Sequence, residues 1–468
     1  MSVYYEDPQA TVYEGDCLDV LRTLPDESVD SVVTDPPYGL RLMNQPWDGA
    51  AIEARAARGR ETSPMPVGLG GPHGGYRSAA TEAGRYDQSP TALRDFQDWC
   101  EQWAGECLRI LRPGGHLLAF GGSRTWHRLT AGIEDAGFEI RDSIAWIYGQ
   151  GMPKSLDVAR AITGHLAGVG SNTGALRRLA MGDDYTPSGV RGSRDSMTRR
   201  NTGMEGRTIA LAEQAQQWEG WGTGLKPAFE PCVVARRTPE GSVAANVLAH
   251  GVGGLHVDAC RVPMSQEDAA AIDAKHAGMD PGTYQRPPGT SLGLSVRPLP
   301  LAPARAHEGG RWPTNVVLDD AAAASLDAQS GTTVSRSGRP RRGVSGDGWG
   351  MTATGAEYDD AGGASRFFPV FRWEAKASAA ERPAVGGVAH PTVKPLALMR
   401  WLVRLVTPYG GTVLEPFAGS GTTVEAALAE GMLCIAVERE ASYLPLIRER
   451  IQRVQDVPMD LWGGTTTS

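Results

Sequence analysis

The stretch Ser31-Val-Val-Thr-Asp-Pro-Pro-Tyr-Gly39 constrains the fold of this 468-residue chain more than any other. Its first four residues are typical of a short buried strand. The two prolines that follow cannot donate hydrogen bonds to a sheet, so the strand must end here. Asp35 and Tyr38 are then left in a stiff loop at the carboxyl end of the strand. Open α/β sheets bind their ligands at this edge, which predicts a functional site in the loop.

Hydrophobic periodicity around this loop predicts alternating strands and helices. The predicted strands are residues 10–15, 29–34, 116–121 and 139–148, and the predicted helices are residues 17–24, 93–111 and 126–136. Residues 41–91 are rich in Gly, Pro, Ser and Arg and are predicted to form a long mobile loop. The order of these elements is typical of a doubly wound, mostly parallel α/β sheet.

The same pattern resumes near the far end of the chain. Helices are predicted at residues 395–406, 422–429 and 442–454, and strands at residues 412–415 and 432–438. Between the two regular parts the pattern is irregular, apart from a predicted helix at residues 155–167. We therefore expect one sheet built from both terminal segments, interrupted by a large central insertion. The expected division is 1–150 as the catalytic half, 151–385 as the insertion, which is predicted to recognise the target sequence, 386–457 as the cofactor half and 458–468 as a tail.

Composition narrows the class of protein. The formal net charge is −8, so a nucleic-acid partner would need a local basic surface. The six cysteines show no CxxC spacing, which favours reduced thiols over disulfides or a zinc site, and no metal is expected. The first residues show no signal pattern, and no apolar run reaches about 18 residues. These features predict a cytoplasmic protein without a membrane segment.

A glycine turn and two acids predict a nucleoside site. Phe417-Ala-Gly-Ser-Gly421 follows a predicted strand and opens a predicted helix, as in nucleotide-binding units, and Glu438 ends the next strand. Such an acid can accept hydrogen bonds from ribose hydroxyls. No arginine cluster marks a pyrophosphate, so an adenosine cofactor without phosphates is favoured over NAD. Asp16 also ends a strand, and both a helix cap and an acceptor for an adenine amino group remain open for it.

Four motifs in this order resemble a known family. Asp35-Pro-Pro-Tyr38 and Glu415-Pro-Phe-Ala-Gly-Ser-Gly421 look like those of the amino-group DNA methyltransferases that use S-adenosylmethionine. His390-Pro-Thr-Val-Lys-Pro395 and Gly15-Asp-Cys-Leu18 are similar to further elements of the β subgroup, whose motif order is the same. The resemblance covers residues 10–150 and 388–455. It implies a Rossmann-like methyltransferase fold, of the phage or prokaryotic type.

The resemblance also implies roles for individual residues. The catalytic residues would be Asp35, Pro36, Pro37 and Tyr38. The cofactor, S-adenosylmethionine, would be bound by Asp16, Cys17, Thr392, Lys394, Glu415, Pro416, Phe417, Gly419, Ser420, Gly421, Thr422 and Glu438. The carboxylate of Asp35 and the carbonyl of Pro36 would accept hydrogen bonds from the amino group of a base flipped out of double-stranded DNA. Lys394 either closes the cofactor pocket, which we favour, or is a surface lysine.

Arginine runs in the insertion are candidates for contacts with the phosphate backbone, against the alternative of solvated loops. The candidates are Arg199, Arg200, Arg336, Arg339, Arg341 and Arg342. Pro231-Cys232 superficially resembles the nucleophile of carbon-5 cytosine methyltransferases, but its neighbours do not fit, and Cys232 is interpreted as an ordinary strand residue.

The preferred expectation is a site-specific methyltransferase acting on adenine N6, with cytosine N4 as the alternative. The same loop chemistry serves both amines, and Asp at the first position of the tetrapeptide is commoner among the adenine enzymes of the family. Methylation of RNA or of a protein amide, and a non-catalytic DNA-binding module, are weaker alternatives. A homodimer is compatible with the subgroup. The recognition sequence and a partner nuclease of a restriction–modification pair are not predicted.

Overall fold

The computed structural model describes residues 1–38, 90–149, 155–168, 211–266, 268–270, 273, 307–334, 361–371, 383–390 and 392–456. By its internal contacts the chain divides into two units, one formed by residues 1–150 and 229–468 and the other by residues 151–228. The predicted mobile loop at residues 41–91 lies outside the described residues except for its last two positions.

A nine-stranded sheet organises the larger unit, in the order β1-β2-β13-β12-β3-β4-β6-β5-β7. Its strands are β1 (Ser2–Glu6), β2 (Ala10–Glu14), β3 (Val29–Thr34), β4 (Leu111–Phe120), β5 (Glu139–Ile147), β6 (Phe229–Arg236), β7 (Val316–Leu318), β12 (Thr412–Glu415) and β13 (Leu433–Glu438). The pairs β2·β13, β13·β12, β12·β3, β3·β4 and β5·β7 are parallel, and β1·β2, β4·β6 and β6·β5 are antiparallel. The predicted fold class is confirmed.

Helices cover both faces of this sheet. They are α1 (Cys17–Leu21), α2 (Pro90–Ile110), α3 (Trp126–Asp135), α6 (Val243–His250), α7 (Asp320–Ser330), α8 (Leu396–Val406), α9 (Thr422–Ala429) and α10 (Leu444–Gln455). Apolar residues of α1, α2 and α3 fill one face, and those of α8, α9 and α10 fill the other. The sheet is therefore buried on both sides, as its nearly continuous apolar strands require.

Short paired strands lie outside the main sheet. They are β8 (Thr333–Val334) with β9 (Ala361–Gly362), and β10 (Ala384–Val385) with β11 (Val388–Ala389). The smaller unit contains α4 (Val158–Leu166), which Asp157 caps through a hydrogen bond from the Arg160 amide, and the short helix α5 (Glu213–Gln216).

The path of the chain differs from the predicted insertion in one respect. Two strands within residues 151–385, β6 and β7, belong to the main sheet, and β6 lies between β4 and β5. The sequence could not show this, because an eight-residue apolar strand says nothing about its partners. The function predicted for the insertion, target recognition, stays a prediction.

The order in which successive strands are added to the sheet reverses between the parallel neighbours β12 and β3. From β12 the chain continues through helix α9 to β13, which lies on one side of this strand pair. From β3 it continues through helix α2 to β4, which lies on the other side. Two neighbouring strands whose crossovers diverge leave a crevice at their carboxyl ends, the place where open α/β sheets bind ligands. Asp35 follows β3 at this crevice, and Pro416 follows β12.

Candidate active site at the switch point of the sheet

The predicted catalytic loop is held by the residues around it. The hydroxyl of Tyr38 donates to Oδ1 of Asp35 at 2.8 Å, and Oγ1 of Thr125 donates to the carbonyl of Tyr38 at 2.7 Å. A Cβ on Gly122 would lie 3.0 Å from the Tyr38 ring, so only glycine lets the ring pack there without displacement. Burial, then the nearby carboxylates of Asp35 and Glu230, raises the pKa of Tyr38 well above its usual value. Its hydroxyl therefore stays protonated at neutral pH.

Lys394 is a buried partner of this loop, with a side chain 9% exposed. Its Nζ donates to Oδ2 of Asp35 at 2.6 Å and to the hydroxyl of Tyr38 at 3.0 Å, across 359 residues of sequence from Asp35. Burial lowers the pKa of Lys394, but Asp35 and Glu230 more than offset this and raise it to about 12. Lys394 is charged here and is not a surface lysine. Its predicted contact with the cofactor stays a prediction.

Glu230 is the residue of this site that sequence reasoning missed. Its Oε2 lies 3.4 Å from Nζ of Lys394. Burial raises the pKa of Glu230, and the attraction of Lys394 opposes that rise. The available signal was an acid next to the apolar run Cys232–Ala235 of β6. Nothing in the sequence indicated that this strand begins beside Asp35.

Glu415 joins three elements beneath the crevice. Its two carboxylate oxygens accept hydrogen bonds from the hydroxyl of Thr34, from the hydroxyl of Thr423 at 2.5 Å, and from the amide of Phe417 at 3.0 Å. The residue is 1% exposed, and burial raises its pKa to about 7. In this structure Glu415 fixes the start of the glycine turn. Its predicted contact with a cofactor stays a prediction.

The glycine turn itself needs its glycines. Gly419 and Gly421 have φ angles of +52° and +82°, a region that L side chains rarely adopt. A Cβ on Gly421 would lie 2.9 Å from Cα of Ile447. The side chains of Ser420 and Thr422 are buried and lie 3.2 Å apart, so they stabilise the turn from within.

Glu438 ties this turn to the next strand end. Its Oε2 accepts a hydrogen bond from the amide of Gly419 at 2.7 Å, and its Oε1 accepts one from the amide of Glu440 at 2.7 Å. Burial raises the pKa of Glu438 to about 7. Because β13 pairs with β2, the carbonyl of Glu438 also accepts a hydrogen bond from the amide of Gly15 at 3.1 Å. The two strand ends with the predicted acids are thus neighbours.

Asp16 caps α1. Its Oδ1 accepts a hydrogen bond from the amide of Leu18 at 3.0 Å, and its Oδ2 lies 4.0 Å from Nη1 of Arg439. The helix-cap interpretation is therefore observed, and about half of the side chain remains exposed at the sheet edge. Cys17, the next residue, is buried, and burial raises the pKa of its thiol to about 12.

The remaining predicted residues lie around the turn. The ring of Phe417 packs against Trp99 and Trp103 of α2, with ring centroids 5.6 and 5.4 Å away. The carbonyl of Thr392 contacts Nδ1 of His390, whose ring lies edge-on to Tyr443 at 4.6 Å. The predicted DNA-contacting arginines, Arg199, Arg200, Arg336, Arg339, Arg341 and Arg342, all lie outside the described residues.

Curated proteins with related sequences match only part of the chain. The type II methyltransferase M.HindIII of Haemophilus influenzae is 26% identical over 136 residues, 29% of this chain and 42% of that protein. M.HinfI of Haemophilus influenzae is 24% identical over 139 residues, 29% of this chain and 31% of that protein. The chain thus spans less than half the length of either relative.

Solved structures align over more of the chain at lower identity. The PvuII DNA methyltransferase, described as cytosine-N4-specific, is 12% identical with a TM-score of 0.40, covering 97% of this chain and 93% of that one. The complex of M1.HpyAVI with SAM is 12% identical with a TM-score of 0.35, covering 94% and 98%.

A family model described as DNA methylase, for N6 and N4 enzymes, matches residues 29–163 and 208–449. These residues make up most of the chain and include the predicted catalytic loop, Glu230, the glycine turn and Glu438. The chain therefore belongs to the N6/N4 DNA methylase family, whose cofactor is S-adenosylmethionine.

Proposed function

We propose that this chain is a site-specific DNA methyltransferase that transfers a methyl group from S-adenosylmethionine to N6 of adenine in double-stranded DNA. One observation carries the proposal. The Asp35–Tyr38 pair and the glycine turn with Glu438 lie at the carboxyl ends of strands on the two sides of the switch point. An acceptor for an amine and a cradle for a nucleoside therefore share one crevice.

The residues around the turn fit an adenosine cofactor. The positive φ angles of Gly419 and Gly421 set the tight path of the turn, and Asp16 and Glu438 supply carboxylates at adjacent strand ends. Glu438 would accept from ribose hydroxyls and Asp16 from an adenine amino group. When bound, S-adenosylmethionine supplies an electrophilic methyl group on sulfur. The protein's contribution is then mainly the positioning of the amine.

Asp35 is the residue proposed to bind the target amine. Each carboxylate oxygen can accept two hydrogen bonds, so Asp35 can accept one from the amine while it keeps those from Tyr38 and Lys394. Together with the carbonyl of Pro36, it would direct the nitrogen lone pair at the methyl group. Tyr38, fixed by Thr125, would stack on the base, which has to leave the duplex to reach this crevice.

The choice of adenine rests on the family tendency of the tetrapeptide that begins with Asp35, since cytosine N4 would satisfy the same acceptors. Double-stranded DNA as substrate, the arginine contacts, a homodimer and a cytoplasmic location are parts of the proposal that stay predictions. Among the described residues, no helix is both long and apolar enough to cross a membrane.

The test is to incubate the purified chain with S-adenosylmethionine and duplex DNA and to identify the methylated nucleoside by mass spectrometry after hydrolysis. We expect N6-methyl-2′-deoxyadenosine. Single-molecule sequencing of DNA from a host that expresses this chain would give the sequence around the methylated base. N4-methylcytosine would replace the adenine assignment, and methyl transfer only to RNA or protein would overturn the proposal. Asp35→Ala should abolish the product yet bind S-adenosylmethionine in calorimetry, because the acceptor is lost and the turn is intact.

A further inference from the structure

Glu230 reaches the catalytic loop because of the direction of its strand. β6 runs antiparallel to β4, with Cys232 opposite Phe120, and the amide of Gly121 donates to the carbonyl of Pro231 at 2.9 Å. The first residues of β6 therefore lie at the edge where β3 and β4 end. This places the carboxylate of Glu230 beside a catalytic loop that lies almost 200 residues earlier in the sequence.

Three acceptors surround one ammonium group at this point. Nζ of Lys394 lies 2.6 Å from Asp35, 3.0 Å from the Tyr38 hydroxyl and 3.4 Å from Glu230. An ammonium group has three N–H donors, so each acceptor matches one of them. The ring of Phe120, 4.7 Å from Nζ, packs against the same charge. The arrangement fixes the position of Lys394 between two carboxylates.

Two carboxyl groups share one ammonium group in this cluster, and the attraction of Lys394 favours the ionised form of Glu230. A buried pair of Asp35 with Lys394 alone would be neutral, and the ammonium would withdraw electron density from the oxygens that must accept from the target amine. When a second carboxylate also binds the ammonium group, the ammonium offsets less of the negative charge on Asp35. That carboxylate also takes one of the three N–H donors of Lys394, whose Nζ already lies 2.6 Å from Oδ2 of Asp35, so fewer of them are left to compete with the amine for the lone pairs of Asp35.

We propose that Glu230 is a positioning residue for methyl transfer, which holds Lys394 between two carboxylates and so keeps Asp35 a strong acceptor for the amine of the target base. The inference rests on the proposed function, because it concerns the same amine. Glu230 acts through Lys394 and does not itself touch the base or the cofactor in this arrangement.

The test is the single-turnover rate of methyl transfer by Glu230→Gln, normalised to the fraction of protein that binds S-adenosylmethionine in calorimetry. We expect a rate about 10- to 100-fold below wild type, less than the roughly 10²- to 10³-fold cost of losing a group that contacts the reacting atoms, because Glu230 acts through Lys394. The Kd for S-adenosylmethionine should stay within about twofold, because Glu438 and the glycine turn are untouched. Glu230→Asp keeps the charge and should restore part of the rate.

Dependence on Lys394 separates this role from a structural one. In a Lys394→Met background, Glu230→Gln should change the rate less than about threefold, since the group it positions is gone. The exposed acid Glu240 provides a matched control, and Glu240→Gln should transfer at the wild-type rate. Equal losses with and without Lys394, or a wild-type rate in Glu230→Gln, would overturn the inference. If the wild-type chain itself methylates no DNA, it is the proposed function that fails.

Discussion

At the scale of single residues, His116 on β4 links stability to pH. It is 4% exposed, and among the described residues its Nδ1 has no hydrogen-bond partner. Burial, reinforced by Arg236 and Arg141, lowers its pKa from 6.5 to about 4. Between these pH values the unfolded chain binds a proton that the folded chain does not. The contribution of His116 is therefore complete above pH 6.5 and is lost as the pH falls toward 4.

We expect His116→Leu to lose less stability on acidification than wild type, by up to about 3 kcal/mol between pH 7 and pH 4. Urea unfolding at several pH values measures the free energy of unfolding of both proteins. The raised pKa values of Glu415 and Glu438 favour the folded state at lower pH, but this effect is common to both proteins and cancels in their difference. The exposed His127 is the control, and His127→Leu should follow wild type. If the free energy of unfolding had the same dependence on pH in wild type and His116→Leu, His116 would not be a source of this pH dependence.

Candidate residues of the site could be predicted from the sequence where the signal was local. Asp35 and Tyr38 were placed by the prolines between them, and Gly419 and Gly421 by the strand before and the helix after. Lys394 was predicted to close the cofactor pocket, but its contact with Asp35, and the presence of Glu230 at the site, could not be predicted, because only the folded sheet creates these contacts. The roles of all the predicted cofactor residues stay predictions.

At the scale of elements, the helices α9 and α10 are joined by a buried ion pair between Glu425 and Arg450. The Arg450 side chain is 0% exposed, so its charge has no access to water. Removing one partner leaves the other charge buried and uncompensated, whereas replacing both by apolar side chains of similar volume costs much less.

We expect Arg450→Met to lower the free energy of unfolding by about 3–5 kcal/mol, and Arg450→Met with Glu425→Leu to be more stable than Arg450→Met alone. Urea denaturation measures both. The half-exposed pair Arg453 and Glu449 on α10 serves as the control, and Arg453→Met should cost less than about 1 kcal/mol. A similar cost at both positions would show that burial of the charge is not what matters.

Element boundaries followed the sequence except where distant pairing overrode local signals. The sequence predicted a helix up to residue 111 and a strand from residue 116, yet Pro113, Gly114 and Gly115 between them belong to β4. The amide of Arg237 donates to the carbonyl of Gly115 at 2.9 Å, and the side chain of Asn246 donates to the carbonyl of Pro113 at 2.9 Å. Turn-forming residues are held in an extended path by partners more than 100 positions away, which local propensity cannot reveal.

At the scale of the larger unit, the strands of the C-terminal segment lie between strands of the N-terminal segment. β13 and β12 separate β2 from β3. The sequence predicted that both segments share one sheet, since the catalytic loop and the glycine turn are halves of one motif set. It could not predict the antiparallel β6, because a short apolar strand is compatible with either direction. The interleaving places residues 15–18 beside Glu438, although they lie at opposite ends of the chain.

This interleaving predicts how the protein responds to its cofactor. Saturating S-adenosylmethionine should slow amide hydrogen exchange at residues 15–18 and 417–422 together, because a nucleoside held by Asp16 and Glu438 stabilises both strand ends. Exchange in β7, which lies at the other edge of the sheet, should change little. Asp16→Asn keeps a side chain that caps helices well, so α1 should persist while the affinity falls about tenfold through loss of a charged acceptor. If protection were confined to residues 417–422, Asp16 would not bind the cofactor, and the nucleoside site would be formed by the C-terminal segment alone.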